Sequence, residues 1–264
     1  MRQRPSVLLA GLGLHRYAVA VGVGKSKREE AMSVILALLS GRDAVVASDG
    51  REFRSARLDR VTGKVLQRAQ VARGDFDKTF VLFGGKVVGA FSGLTRFSGK
   101  TVGEHIVEIV GEGRRTPRSL AAVGKAVKEE LIARLSNVSP DEVLPDCRKV
   151  DVLLAGGAQL TRHHFQIARL RFAPSHGGLG VLCQDDFVGH RRGDTMRYAM
   201  FGDDKASAAG SRLAEANQSR KTDRKFMLDL ATRAIEAGIA ACGVHPSGDA
   251  PSCGGKVFLR QSWY

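Results

Sequence analysis

Short apolar, β-branched-rich runs at 34–39 and 44–48, separated by Ser40-Gly41-Arg42-Asp43, predict a β-hairpin near the start of the patterned chain. A second hairpin is predicted from 79–83 and 86–91 around Gly84-Gly85. The apolar period then lengthens. Val102, Ile106, Ile109 and Val110 share one helical face, and Leu120, Val123, Val127, Leu131 and Leu135 mark a second helix between Pro117 and Pro140. Strand-like runs return at 150–155, 165–172, 179–183 and 197–201. Two more helices are predicted over 205–216 and 224–241, the latter with Phe226, Leu230, Ala234 and Ala237 along one side. A last strand at 256–260 follows Gly254-Gly255. Residues 50–77 are polar, basic and weakly patterned, and read as a long loop. Paired strands alternating with paired helices predict an α+β chain. Its architecture would be a four-layer αββα sandwich, two antiparallel sheets flanked by helix pairs. No Pro- or Ser-rich linker divides residues 32–264, which read as one domain.

Composition narrows the class. Of 264 residues, 43% are hydrophobic and 26% charged, the balance of a chain able to bury a core. No apolar run reaches the ~18 residues of a membrane-spanning helix, so no membrane role is expected. Lys and Arg number 41 against 27 Asp and Glu, giving a net charge of +14 and raising the possibility of an anionic partner. The 31 glycines point to tight turns and close backbone approaches. Cys147, Cys183, Cys242 and Cys253 form no CxxC pair, so reduced thiols in a cytoplasmic protein are expected, with no metal site and no cofactor.

Residues 1–31 stand apart. They carry six basic and two acidic residues, a net of +4, and their apolar stretches are broken by His15 and Arg16. Gly24-Lys25-Ser26 lacks the upstream glycine of a phosphate-binding loop, since position 19 is Val. The segment reads as a leader, a propeptide or a mis-assigned start at Met32. Each alternative exposes a chain beginning at or next to Ser33.

From Ser33 through Asp49-Gly50-Arg51 the chain resembles the first hairpin of proteasome-type peptidase subunits and of the peptidase subunit of the bacterial ATP-dependent two-component protease. The sixteen-residue spacing from Ser33 to Asp49 is the family's spacing between nucleophile and carboxylate. Asp77-Lys78-Thr79 through Gly93 is similar to the family's lysine-bearing strand, turn and apolar strand. Arg197 through Gly202-Asp203 and Ser252-Cys253-Gly254-Gly255 stand at its later loops. The resemblance implies the fold of hydrolases with an N-terminal nucleophile and a threonine-peptidase-type activity on peptides or proteins. It also implies a homo-oligomeric ring, and it leaves an ATPase partner open. Ser33 would be the nucleophile, with Asp49, Lys78, the Ala90 N–H as oxyanion donor, Asp203 and Cys253 completing the site. Several positions depart from the family pattern. Ser replaces Thr at 33, Asp203 and Cys253 replace serines, and the second carboxylate aligns with Ala250, with Asp249 one residue away. The 29 residues from Asp49 to Lys78 include an insertion.

The chemistry follows from the residue types. An N-terminal serine carries a hydroxyl and an α-amine that titrates near pH 7.7–8, so the amine can take the hydroxyl proton. A lysine beside it lowers the amine's pKa and faces developing negative charge, and a carboxylate orients the lysine. Blander readings compete: a strand-start serine, an Asp-Gly turn and an edge lysine. Two other functions also compete, a non-catalytic ring subunit and a basic nucleic-acid-binding protein. The basic run 51–73 contains one Phe and no interleaved aromatics, which disfavours nucleic acid. The adjacent His163-His164 point to opposite strand faces and make a poor metal pair. Arg192-Gly193-Asp194 reads as a chance tripeptide.

Overall fold

The structure, a computed structural model, describes residues 33–41, 43–54, 57–58, 65–67, 70–112, 119–140, 142–143, 147–157, 165–175, 180–190, 195–218, 223–243 and 251–262. The leader 1–31, His163-His164, Arg192-Gly193-Asp194 and Asp249-Ala250 lie outside them. The chain opens with β1 (Ile35–Leu39) and β2 (Ala44–Asp49), then β3 (Glu52–Arg54), β4 (Arg57–Leu58), β5 (Val65–Gln67) and β6 (Gln70–Arg73). Next come β7 (Thr79–Leu82), β8 (Val87–Gly93), β9 (Arg96–Phe97), β10 (Lys100–Thr101), α1 (Val102–Glu112) and α2 (Leu120–Ser136). The second half runs β11 (Val150–Gly157), β12 (Phe165–Pro174), β13 (Val181–Gly189), β14 (Arg197–Phe201), α3 (Asp204–Glu215), α4 (Arg224–Ala241) and β15 (Val257–Gln261).

These elements form an α+β sandwich. One antiparallel sheet has the order β14-β1-β2-β15 and the other β13-β12-β11-β8-β7. Alternation along each strand divides the buried residues among three cores. Ile35, Ala37, Val46, Val88, Ala90, Leu153 and Ile167 fill the space between the sheets. Val34, Leu36 and Leu38, on the other face of β1, pack against Leu230, Ala234 and Ile235 of α4. Phe91, Val152 and Leu170 meet Ile106, Val123, Val127 and Leu131 of α1 and α2. The layers thus run helix pair, sheet, sheet, helix pair. Ser119 caps α2 by accepting from Ala122 N–H, and Asp223 caps α4 by accepting from Phe226 N–H. No helix among the described residues is long and apolar enough to cross a membrane.

Three local expectations change. The excursion 50–77 is not loop throughout: β3 pairs with β6 and β4 with β5, so it carries antiparallel ladders. The Gly84-Gly85 turn widens to a single 3-10 turn over Phe83–Gly85, with positive φ at Phe83 (53°), Gly84 (63°) and Gly85 (91°). Cys242 and Cys253 are joined in a disulfide with Cα atoms 6.0 Å apart, correcting the expectation of four reduced thiols, while Cys147 and Cys183 are in no disulfide.

Between the sheets, Asp151 is 2% exposed and accepts from Arg171 Nε at 2.9 Å, and its Oδ2 has no hydrogen-bond partner among the described residues. Burial raises its pKa above 3.8, with Arg171 opposing the shift. The ionised carboxylate therefore opposes folding fully above the raised value, and the opposition disappears as pH falls through it toward 3.8. Relative to Asp151→Asn, wild type should gain stability as pH falls through that window. Denaturant titrations of both proteins at stepped pH check this. Parallel curves would refute it.

Candidate active site

The β1–β2 hairpin brings its two ends together. Its register pairs Ile35 with Ser48 and continues outward, where Asp49 N–H donates to Val34 O at 3.1 Å. Val34 N–H donates in turn to Asp49 Oδ1 at 3.1 Å. Ser33 therefore lies beside the carboxylate sixteen residues later, as the sequence spacing predicts.

Lys78 comes from the other sheet. It precedes β7, where its carbonyl accepts from Phe91 N–H at 3.1 Å, and its side chain crosses toward the hairpin. Nζ contacts Ser33 Oγ at 2.5 Å, Asp49 Oδ1 at 3.0 Å and Arg51 O at 2.5 Å, which accounts for the three N–H groups of an ammonium. The side chains of Lys78 and Asp49 are wholly buried, and Ser33 is 7% exposed. Burial holds Lys78 below its usual 10.5, while the adjacent Asp49 charge pulls it back up. A lysine so placed can hold a hydroxyl oxygen and exchanges a proton more readily than a solvated one.

Backbone groups fix the carboxylate. Asp49 Oδ2 accepts from Gly254 N–H at 2.9 Å and from Arg51 N–H at 3.4 Å. Gly50 N–H donates to Gly254 O at 3.1 Å, and Gly50 O accepts from Phe76 N–H at 2.9 Å. A Cβ at Gly50 would fall 2.6 Å from both Gly74 O and Lys256 O, so three strands of backbone converge where only glycine fits. The Arg51 guanidinium donates to Pro251 O at 2.8 Å and lies against Gly254.

The later residues sit around this centre in unequal roles. Gly202, at φ 132°, packs against the Ser33 carbonyl. Asp203 follows it and caps α3, its Oδ1 accepting from Lys205 N–H and Ala206 N–H, while Oδ2 accepts from Ser252 Oγ at 3.1 Å. Its carboxylate has no bond to Ser33 among the described contacts. Cys253, expected at a hydroxyl position, is bonded to Cys242, and the hydroxyl reaching Asp203 is that of Ser252. Ala90 lies mid-strand in β8, opposite Thr79 and Leu153. Phe91 N–H points to β7 and Leu94 N–H donates to Lys149 O at 2.8 Å. Strand hydrogen bonding alternates with period two, so Ala90 N–H points to Leu153 of β11, and the ladder takes the donor expected to face an oxyanion.

Sequence reasoning did not single out Ser252, the Gly254 N–H or the Arg51 carbonyl. The last two are backbone groups without a residue-type signal, and Ser252 neighbours the position chosen. Among the described residues no cluster of three His, Cys, Asp or Glu could hold a metal ion. Comparison with known proteins finds no family model that matches the chain, and no curated protein matches it.

Proposed function

We propose that this chain is an amide hydrolase acting on peptides or proteins, with Ser33 as an N-terminal nucleophile of the proteasome-like kind. The observation that carries the reading is the buried Ser33–Lys78–Asp49 arrangement, with Nζ 2.5 Å from Oγ and 3.0 Å from the carboxylate. The sandwich of two antiparallel sheets between helix pairs supports it. In the proposed reaction the freed Ser33 amine takes the hydroxyl proton, and Oγ attacks the amide carbon. Lys78 lies against the oxygen that becomes an alkoxide, and Asp49 keeps Lys78 in place. The amine then protonates the leaving nitrogen, and water hydrolyses the acyl ester.

N-terminal sequencing of the purified chain, followed by incubation with a peptide carrying a serine-reactive electrophile, tests this reading. A chain beginning at Ser33, labelled there and unlabelled in Ser33→Ala, is expected. A blocked or upstream N-terminus with no adduct overturns it. That result would favour a non-catalytic subunit that keeps the same arrangement, a reading supported by the burial of Ser33 at 7% exposure.

A further inference from the structure

The Cys242–Cys253 disulfide is one residue away from the backbone that holds Asp49. Cys242 ends α4, and Cys253 is 1% exposed in the core where Val34, Leu36 and α4 pack. Gly254, next in the chain, donates its N–H to Asp49 Oδ2 at 2.9 Å and accepts from Gly50 N–H at 3.1 Å. On the other side, Ser252 Oγ donates to Asp203 Oδ2 at 3.1 Å. Gly254 and Gly255 adopt φ 151° and 77°, conformations that glycine takes without the strain a side chain would add. Gly254 thus holds the carboxylate, and a covalent bond fixes the residue before it to the C-terminal end of α4.

We propose that this disulfide is a redox-responsive positioning element for Asp49, resting on the hydrolase reading above. A dithiol reductant supplies two electrons and two protons. Its thiolate attacks the sulfur of the half-buried Cys242, the sulfur–sulfur bond breaks, Cys242 and Cys253 become thiols, and the reductant closes to its own cyclic disulfide. The Cys253–Gly254 segment is then restrained only by packing and hydrogen bonds. Gly254 N–H leaves Asp49 more often, and the carboxylate holds Lys78 less firmly against Ser33.

The test compares the full chain oxidised and reduced with dithiothreitol, together with Cys242→Ser, which cannot form the bond. Intact mass and thiol alkylation report the bond itself. Hydrogen exchange at Gly254, referenced to the core amide of Val46, reports the hold on Asp49. Reduction should speed Gly254 exchange about tenfold while Val46 stays unchanged. It should also lower kcat about tenfold to a hundredfold at constant KM, because the cost lies in alignment. Cys242→Ser should match the reduced protein whether or not reductant is present. Absence of the disulfide in the oxidised protein, or Gly254 exchange indifferent to its reduction, overturns the proposal. So does equal kcat in the two states of an active chain. Responsive exchange in a chain that hydrolyses no peptide in either state keeps the positioning role and sinks the hydrolase reading.

Discussion

Lys78→Met should destabilise the protein by about 3–5 kcal/mol, because it leaves a carboxylate buried without its counter-charge. Asp49 and Lys78 are both wholly buried, and among the described residues Asp49 Oδ1 would keep only Val34 N–H as a donor. Methionine fills similar volume, so the loss is electrostatic more than steric. The double variant Lys78→Met with Asp49→Asn should recover part of the stability, since no charge is then stranded. Hydrolysis, under the proposed mechanism, should be lost in both. The pH dependence carries a further signature. Burial lowers the Lys78 pKa, so the unfolded chain binds more protons between the folded value and 10.5. Stability tied to this group rises with pH through that window and is constant below it. Denaturant titrations of the three proteins between neutral and alkaline pH read both effects. A Lys78→Met protein as stable as wild type would show that the buried pair does not form.

Gly202→Ala should cost on the order of 4 kcal/mol, combining left-handed strain with overpacking. At φ 132° the backbone disfavours any side chain, and the added methyl would collide with the Ser33 carbonyl and the Val34 Cα. Neither neighbour can swing aside, because Val34 is clamped to Asp49 through both its N–H and its carbonyl. Gly99→Ala is the control. It also has positive φ, at 76°, but open space where the Cβ would sit, so it should cost only the backbone strain of about 1 kcal/mol. Equal losses in the two variants would show that Ser33 is not packed against Gly202.

The readability of the chain varied with burial. Helix α4 matches its predicted limits, 224–241, because one face is buried along its length and Asp223 caps its start. Strand β13 extends to Gly189 where only 179–183 was predicted. Gln184, Asp185 and Asp186 lie on an exposed edge, where pairing with β12 replaces the apolar alternation that marks buried strands. The ladders β3–β6 and β4–β5 escaped for a similar reason: Gln70–Arg73 is exposed at every position and shows no apolar alternation. The juxtaposition of Ser33 and Asp49 was legible because a hairpin converts sequence spacing directly into proximity, whereas Lys78, which reaches them from the other sheet, was expected there only from the resemblance. Gly254 and Ser252 were not, since they meet Asp49 and Asp203 across 205 and 49 residues, respectively, through tertiary packing alone. The eleven-residue separation of Cys242 and Cys253 carries no disulfide signature, and only the meeting of α4 with the 251–255 segment brings their Cα atoms within bridging range.

Ser33 and Asp49 belong to the four-stranded sheet, whereas Lys78 leads into the five-stranded one. Each half of the sandwich alone holds an incomplete set, a hydroxyl with a carboxylate or a solitary cation. The three groups become a unit only when the two sheets stack and water is expelled from between them. Any species in which the halves are folded but still apart therefore lacks the Ser33–Lys78–Asp49 unit, which arises only in the assembled interior.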